Sequence, residues 1–154
     1  DEYCVDSGAG KILSLTCFAP AKDFVSILIL HYLARKLKGL PVLRGQWLTF
    51  REFSGVEGYY DAYHNRSIEP IIRKYGKNPE AIKEVLGRLP GKLSEGGDVS
   101  VIIEAFADVP VLVKLWKQDA EFASSANMYF DASIKNIFCI EDIVMLAQIV
   151  ASQL

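Results

Sequence analysis

The stretch VSVIIEAFADVPVLVKLWK, Val99 to Lys117, decides the fold class. Val99 to Phe106 and Val111 to Lys117 are apolar runs rich in β-branched residues. Ala107-Asp108-Val109-Pro110 between them is short enough for a hairpin. Ala126 to Asp131 reads as a third strand in succession. Gly91 to Asp98, with Gly96-Gly97 near its end, is the most linker-like segment, and we read it as a loop rather than a domain boundary. Consecutive strands of this kind argue against a nucleotide-binding doubly wound sheet, in which strands alternate with helices.

Toward the N-terminus, Tyr3-Cys4-Val5, the turn Asp6 to Gly10, and Lys11 to Phe18 predict strand, turn and strand, ended by Pro20. Asp23 then caps a helix running to about Lys38, which Gly39 closes. Phe24, Val25, Ile27, Leu28, Ile29, Leu30, Tyr32 and Leu33 make that helix apolar on nearly all sides, so a central position is expected. Trp47 to Phe53 alternates. An extended segment would put Trp47, Thr49, Arg51 and Phe53 on one face and Leu48, Phe50 and Glu52 on the other. A helix is expected from Tyr59 to Tyr75, kinked or broken near Ser67 because Pro70 has no N–H to donate. Asn78-Pro79-Glu80 starts a short helix, and a last helix from about Glu141 to Gln153 carries Ile143, Leu146, Ala147, Val150 and Leu154 on one face. The sum is an α+β fold: an antiparallel sheet of about five strands packed with a central apolar helix, a C-terminal helix and shorter helices.

At 154 residues and 51% hydrophobic, one globular domain over residues 1–154 is expected, and the start at Asp1 suggests a segment preceding it. A net charge of −2 offers no basic face for a phosphate backbone, so nucleic acid is not an expected partner. The longest apolar run, Phe24 to Leu30 broken by Ser26, is far below the roughly 20 residues of a membrane span. With no leader pattern in view, a cytoplasmic location is expected. Cys4, Cys17 and Cys139 are odd in number and far apart, which speaks against a disulfide framework and against CxxC metal sites. Buried, reduced thiols are the expectation.

Ser7-Gly8-Ala9-Gly10-Lys11 fails as a phosphate loop, because Val5 stands where a Walker loop needs its first Gly and Ile12 where it needs Ser or Thr. His31 is expected to be a core histidine bonded to a carbonyl or a tyrosine. His64 has Asp61 three residues earlier on the same helical face, a pair that could orient an acid–base imidazole or simply be solvated. Arg51 among aromatic rings suits a planar ligand, a carboxylate or a phosphate. Its plainer account is a structural pair with an acid from another element. Leu115 to Phe122 repeats that style, with Trp116 ahead of Asp119 and Glu121. Phe130-Asp131 and Glu141-Asp142 add carboxylates, but no EF-hand spacing, so neither a metal nor any other cofactor is expected.

The run Gly45-x-Trp47-x-x-Phe50-Arg51-Glu52 with Tyr60, Tyr63 and Pro70, followed by Leu115-Trp116-x-x-Asp119-x-Glu121-Phe122, Phe130-Asp131 and Glu141-Asp142, resembles an uncharacterised prokaryotic family, domain of unknown function 3786. The resemblance covers roughly Ile27 to the C-terminus and is loose before it. It implies anaerobic bacteria and archaea, and a setting linked to iron–sulfur or corrinoid proteins. This chain carries no matching cysteine cluster, so iron–sulfur chemistry would reside in a partner or in a part outside this sequence. The leading expectation is an accessory or small-ligand-binding module in anaerobic metabolism, its ligand small and anionic. The pocket would be built from Trp47, Arg51, Glu52, Tyr60 and His64, facing Trp116, Asp119 and Asp131. An enzyme acting on a small anionic substrate is the rival, with Arg51 as clamp and Glu52 or His64 as acid–base group. A structural domain that forms a homo-oligomer is the third.

Overall fold

Strands β5 (Val99–Phe106) and β6 (Val109–Trp116) form the expected hairpin in the structure, a computed structural model that describes residues 2–154. The turn is tighter than expected, because Phe106 already pairs with Val109 and leaves Ala107 and Asp108 to reverse the chain. Asp108 takes a positive φ of 62°, a left-handed geometry that Asp tolerates better than most residues. Pro110 lies within β6, opposite Glu104, and the register shifts between Glu104 and Phe106. A bulge is where a strand tolerates a residue with no N–H.

The chain divides into two compact units, Asp1–Gly39 and Leu40–Leu154. In the second, β3 (Trp47–Thr49), β4 (Gly91–Ser94) and β7 (Ser125–Asp131) complete a five-stranded sheet in the order β3-β7-β6-β5-β4, with every neighbouring pair antiparallel. This is the α+β architecture expected, with one strand found where a loop was expected. β4 falls in the linker-like segment, and three of its four residues are exposed, so no apolar alternation announces it. Gly91 permits the pairing, since a Cβ there would stand 2.2 Å from the Ile102 carbonyl oxygen.

The register stacks Val101, Val113 and Met128 in one row and Ile103, Val111 and Phe130 in the next, all but removed from solvent. Each such side chain contributes about 1.5–3 kcal/mol on burial. Helix α4 (Ile140–Gln153) packs on β5 and on the helix of residues 60–75, and its Ile143, Leu146, Ala147, Val150 and the following Leu154 are buried as the spacing required. Main-chain oxygen of Leu154 receives Lys74 Nζ at 2.6 Å, Arg88 Nη2 at 2.9 Å and the Tyr75 hydroxyl.

The N-terminal unit holds the expected hairpin, β1 (Tyr3–Asp6) and β2 (Lys11–Ser14), and helix α1 (Asp23–Lys36). Asp6 Oδ1 accepts the Gly8 and Ala9 N–H groups at 3.0 and 2.9 Å, so the glycine-rich segment is a carboxylate-braced turn. β2 stops at Ser14, four residues short of the expectation, because the chain turns through Cys17 and Phe18 takes φ +55° before Pro20 bridges back to Leu13. In α1, Leu28, Ile29 and Tyr32 are buried, whereas Ile27 and Leu30 are exposed, so its apolar residues serve two faces rather than one central core. His31 is exposed and not a core residue. All three cysteines are exposed as well, contrary to expectation: Cys4 and Cys17 lie on a small hairpin unit with little interior, and Cys139 sits at the cap of α4. Among the described residues no helix is long and apolar enough to cross a membrane.

Candidate functional site

The alternation read in Trp47 to Phe53 ends after three residues. Phe50–Glu52 is a 3-10 turn, because Glu52 Oε2 accepts the Thr49 N–H at 2.7 Å and the Thr49 hydroxyl at 2.8 Å. The Thr–x–x–Glu spacing of a capping box therefore overrides the period of two. Three consequences follow for the site. Phe50 turns inward, 1% exposed, and stacks on Tyr63 with ring centroids 4.2 Å apart. Glu52 is occupied locally, and its bonds to the Thr49 N–H and hydroxyl hold its carboxyl below the usual range. Arg51 is left exposed on the outer side of the turn.

Arg51 meets a ring rather than an acid. Its guanidinium carbon lies 3.8 Å from the centroid of Tyr60, and among the described residues no carboxylate is paired with it. Stacking of this kind uses the face of the guanidinium and leaves its N–H fork pointing outward in the plane. Tyr60 opens the helix expected from Tyr59 to Tyr75: α2 (Tyr60–Tyr63), a π-turn (His64–Ile68) and α3 (Glu69–Tyr75) run on without a break. Pro70 neither breaks nor ends it. It cannot donate to the Arg66 carbonyl, and the preceding turn widens instead, with the Glu69 N–H bonded to the His64 carbonyl five residues back.

That widening sets the environment of His64. In a regular α-helix the residue five positions on lies well around the cylinder, but the π-turn brings Glu69 to 3.7 Å (Oε1) from His64 Nδ1. Glu69, not Asp61, is the acid beside the imidazole. Nothing in the sequence except the conflict between Pro70 and helix continuity pointed to it. The His64 ring lies 5.9 Å from that of Tyr60, so Arg51, Tyr60, His64 and Glu69 form one continuous row.

The other candidates lie elsewhere on the sheet. Trp47 pairs with Asp131 at one end of β7, and Trp116 pairs with Ser125 at the other. Six residues of strand separate those ends, about 20 Å at ~3.4 Å per residue. The register therefore does not bring Trp116, or Asp119 in the loop after it, to Trp47 and Asp131. Asp119 is committed to that loop, accepting the Glu121 and Phe122 N–H groups at 2.8 and 2.7 Å, and these bonds, the Phe122 N–H foremost, hold its carboxyl below the usual carboxylate range.

Asp131 is 4% exposed and structural in its bonding: Oδ1 accepts the Arg44 and Ser133 N–H groups at 3.0 and 2.9 Å, and Oδ2 the Gly45 N–H at 2.7 Å. Burial alone would raise its pKa, but these N–H groups and the Ser133 hydroxyl outweigh it and hold the carboxyl below its ordinary range. Of its partners, Arg44 and Ser133 were not singled out by sequence, and Gly45 only as the first residue of the family run, because the main-chain N–H that each contributes is one no residue type advertises. On α4, Glu141 accepts the Tyr59 hydroxyl, tying the start of the site's helix to the last helix.

No curated protein and no solved structure matches the chain. A family model does match, and over residues 1–153, so it takes in the N-terminal unit as well as the Trp47-to-Glu52 and Leu115-to-Phe122 segments. The chain belongs to that family, the domain of unknown function DUF3786.

Proposed function

We propose that the chain is a binding module for a small anionic ligand, held by Arg51 and flanked by Tyr60 and His64. The observation that carries this reading is an exposed guanidinium stacked at 3.8 Å on Tyr60 while its neighbouring acid, Glu52, is bonded to Thr49. A cation fixed by a ring, with its N–H fork free, is ordered in advance for a carboxylate or phosphate, so less freedom is lost on binding. Trp116, Asp119 and Asp131 have no part in this site. The family resemblance supports placing such a module in anaerobic metabolism, beside an iron–sulfur or corrinoid protein partner.

An enzyme acting on a small anion is the second reading, favoured by His64 standing next to Tyr60 with Glu69 at 3.7 Å. The two readings part at His64, since a binding module needs its shape and an acid–base enzyme its proton.

The test is a titration followed by NMR, with inorganic phosphate and acetate as probes. Expected are saturable shifts at the Arg51 side chain and at Tyr60. Arg51→Ala should weaken binding at least about tenfold, and Arg51→Lys nearly as much, because an ammonium lacks the planar fork. Shifts scattered over the lysines, or none near Arg51 up to about 10 mM of either anion, would sink the reading.

A further inference from the structure

Helix α1 presents two apolar faces, one buried and one exposed. Leu28, Ile29 and Tyr32 are buried. On the opposite side Ile27 is 50% exposed, Leu30 51% and Leu37, the C-cap residue, 88%, with exposed Ala34 between them. Positions 27, 30, 34 and 37 follow the three-four-three spacing of a coiled-coil seam. A solvated helix face would carry charge at those positions. Here the charges gather at the ends instead: Asp23 at the start, Arg35 and Lys36 in the last turn, and Lys38 just beyond it. Among the described residues neither Asp23 nor Lys38 has an ion-pair partner.

We propose that this stripe is a self-association surface, on which α1 pairs antiparallel with α1 of a second copy of the chain. Antiparallel pairing sets Ile27 against the second copy's Leu37 and Leu30 against its Ala34, large side chains meeting large at the ends and a small one at the waist. The two-fold axis repeats each contact. The same orientation brings Asp23, one turn before Ile27, to the basic end of the second copy, within reach of Lys38. It also opposes the two helix dipoles favourably. A parallel pair would stack the basic ends together. The stripe from Ile27 to Leu37 spans 11 residues, about 16 Å, so the contact falls at the small end of specific interfaces, and a reversible dimer with Kd of the order of tens of micromolar is expected.

The experiment is sedimentation of the whole chain under reducing conditions, from about 5 to 200 µM. A concentration-dependent monomer–dimer equilibrium is expected. Leu30→Glu, at an exposed position, should abolish it while helix content by circular dichroism is kept. Asp23→Lys and Lys38→Glu should each weaken it about threefold or more, and the double exchange should restore it, since the two charges then meet with signs reversed. A chain that stays monomeric at the highest concentration overturns the proposal, whatever other protein docks on the stripe. So does a dimer indifferent to Leu30→Glu, or a double exchange no better than its single variants.

Discussion

Asp131 shows how one side chain can fix a segment's path. Its two oxygens take three main-chain N–H groups, two from the Arg44-Gly45 step that leads into β3 and one from Ser133. Hydrogen bonds to a charged acceptor contribute about 1.5–3 kcal/mol each when made, and a buried donor left unmatched costs a similar amount. Asp131→Asn keeps the shape but turns an NH₂ toward one of those donors, so a loss of about 2–4 kcal/mol is expected in urea unfolding. The pH dependence follows from the lowered pKa. The stabilisation is fully present above the unfolded value near 3.9 and is lost as pH falls through the lower folded value, so the wild type should lose stability below about pH 4 more steeply than the variant. Arg51 is the contrasting case. Its role depends on what it does not meet, and a sequence rich in acids could not announce that all of them are engaged or placed elsewhere.

At the scale of elements, legibility tracked how far each segment's partner was written in its own pattern. β5, β6 and β7 were legible because their apolar runs are bounded by turn residues; no residue of β5 or β6 is exposed, and β7 is buried toward its Phe130-Asp131 end. β4 was not, since Gly91-Lys92-Leu93-Ser94 owes its strand to the neighbour it pairs with. Gly91→Ala tests that dependence. The added Cβ would press on the Ile102 carbonyl, a main-chain atom that cannot swing aside. A destabilisation of about 1–3 kcal/mol is expected, with faster amide exchange along β4 and its register partners in β5. The 3-10 turn Phe50–Glu52 and the π-turn His64–Ile68 share a cause: a local rule, a capping box in one and a proline in the other, displaces the regular element. Both deviations lie in the site, and together they place Arg51 on Tyr60 and Glu69 by His64.

For the whole molecule, the division at Gly39 assigns the five-stranded sheet, its helices and the candidate site to Leu40–Leu154. That unit contains the rows of Val101, Val113 and Met128 and of Ile103, Val111 and Phe130 together with α4, a hydrophobic core of its own. Residues 40–154 produced alone are therefore expected to unfold in one cooperative transition, with the Arg51 response to phosphate or acetate retained. A broad, non-cooperative melt would show instead that the chain folds only as one domain over its full length. The sequence by itself determined the α+β class, the antiparallel strands of the central hairpin, the buried face of α4 and the family, because each is carried by side-chain periodicity or by residue types at fixed offsets. Only the tertiary structure decided that Trp47 and Trp116 stand at opposite ends of β7, that Asp131 is spent on main-chain N–H groups, and that Arg51 faces a ring. Those outcomes depend on strand register and on which acids are already bonded, and neither is encoded in the spacing of any one segment.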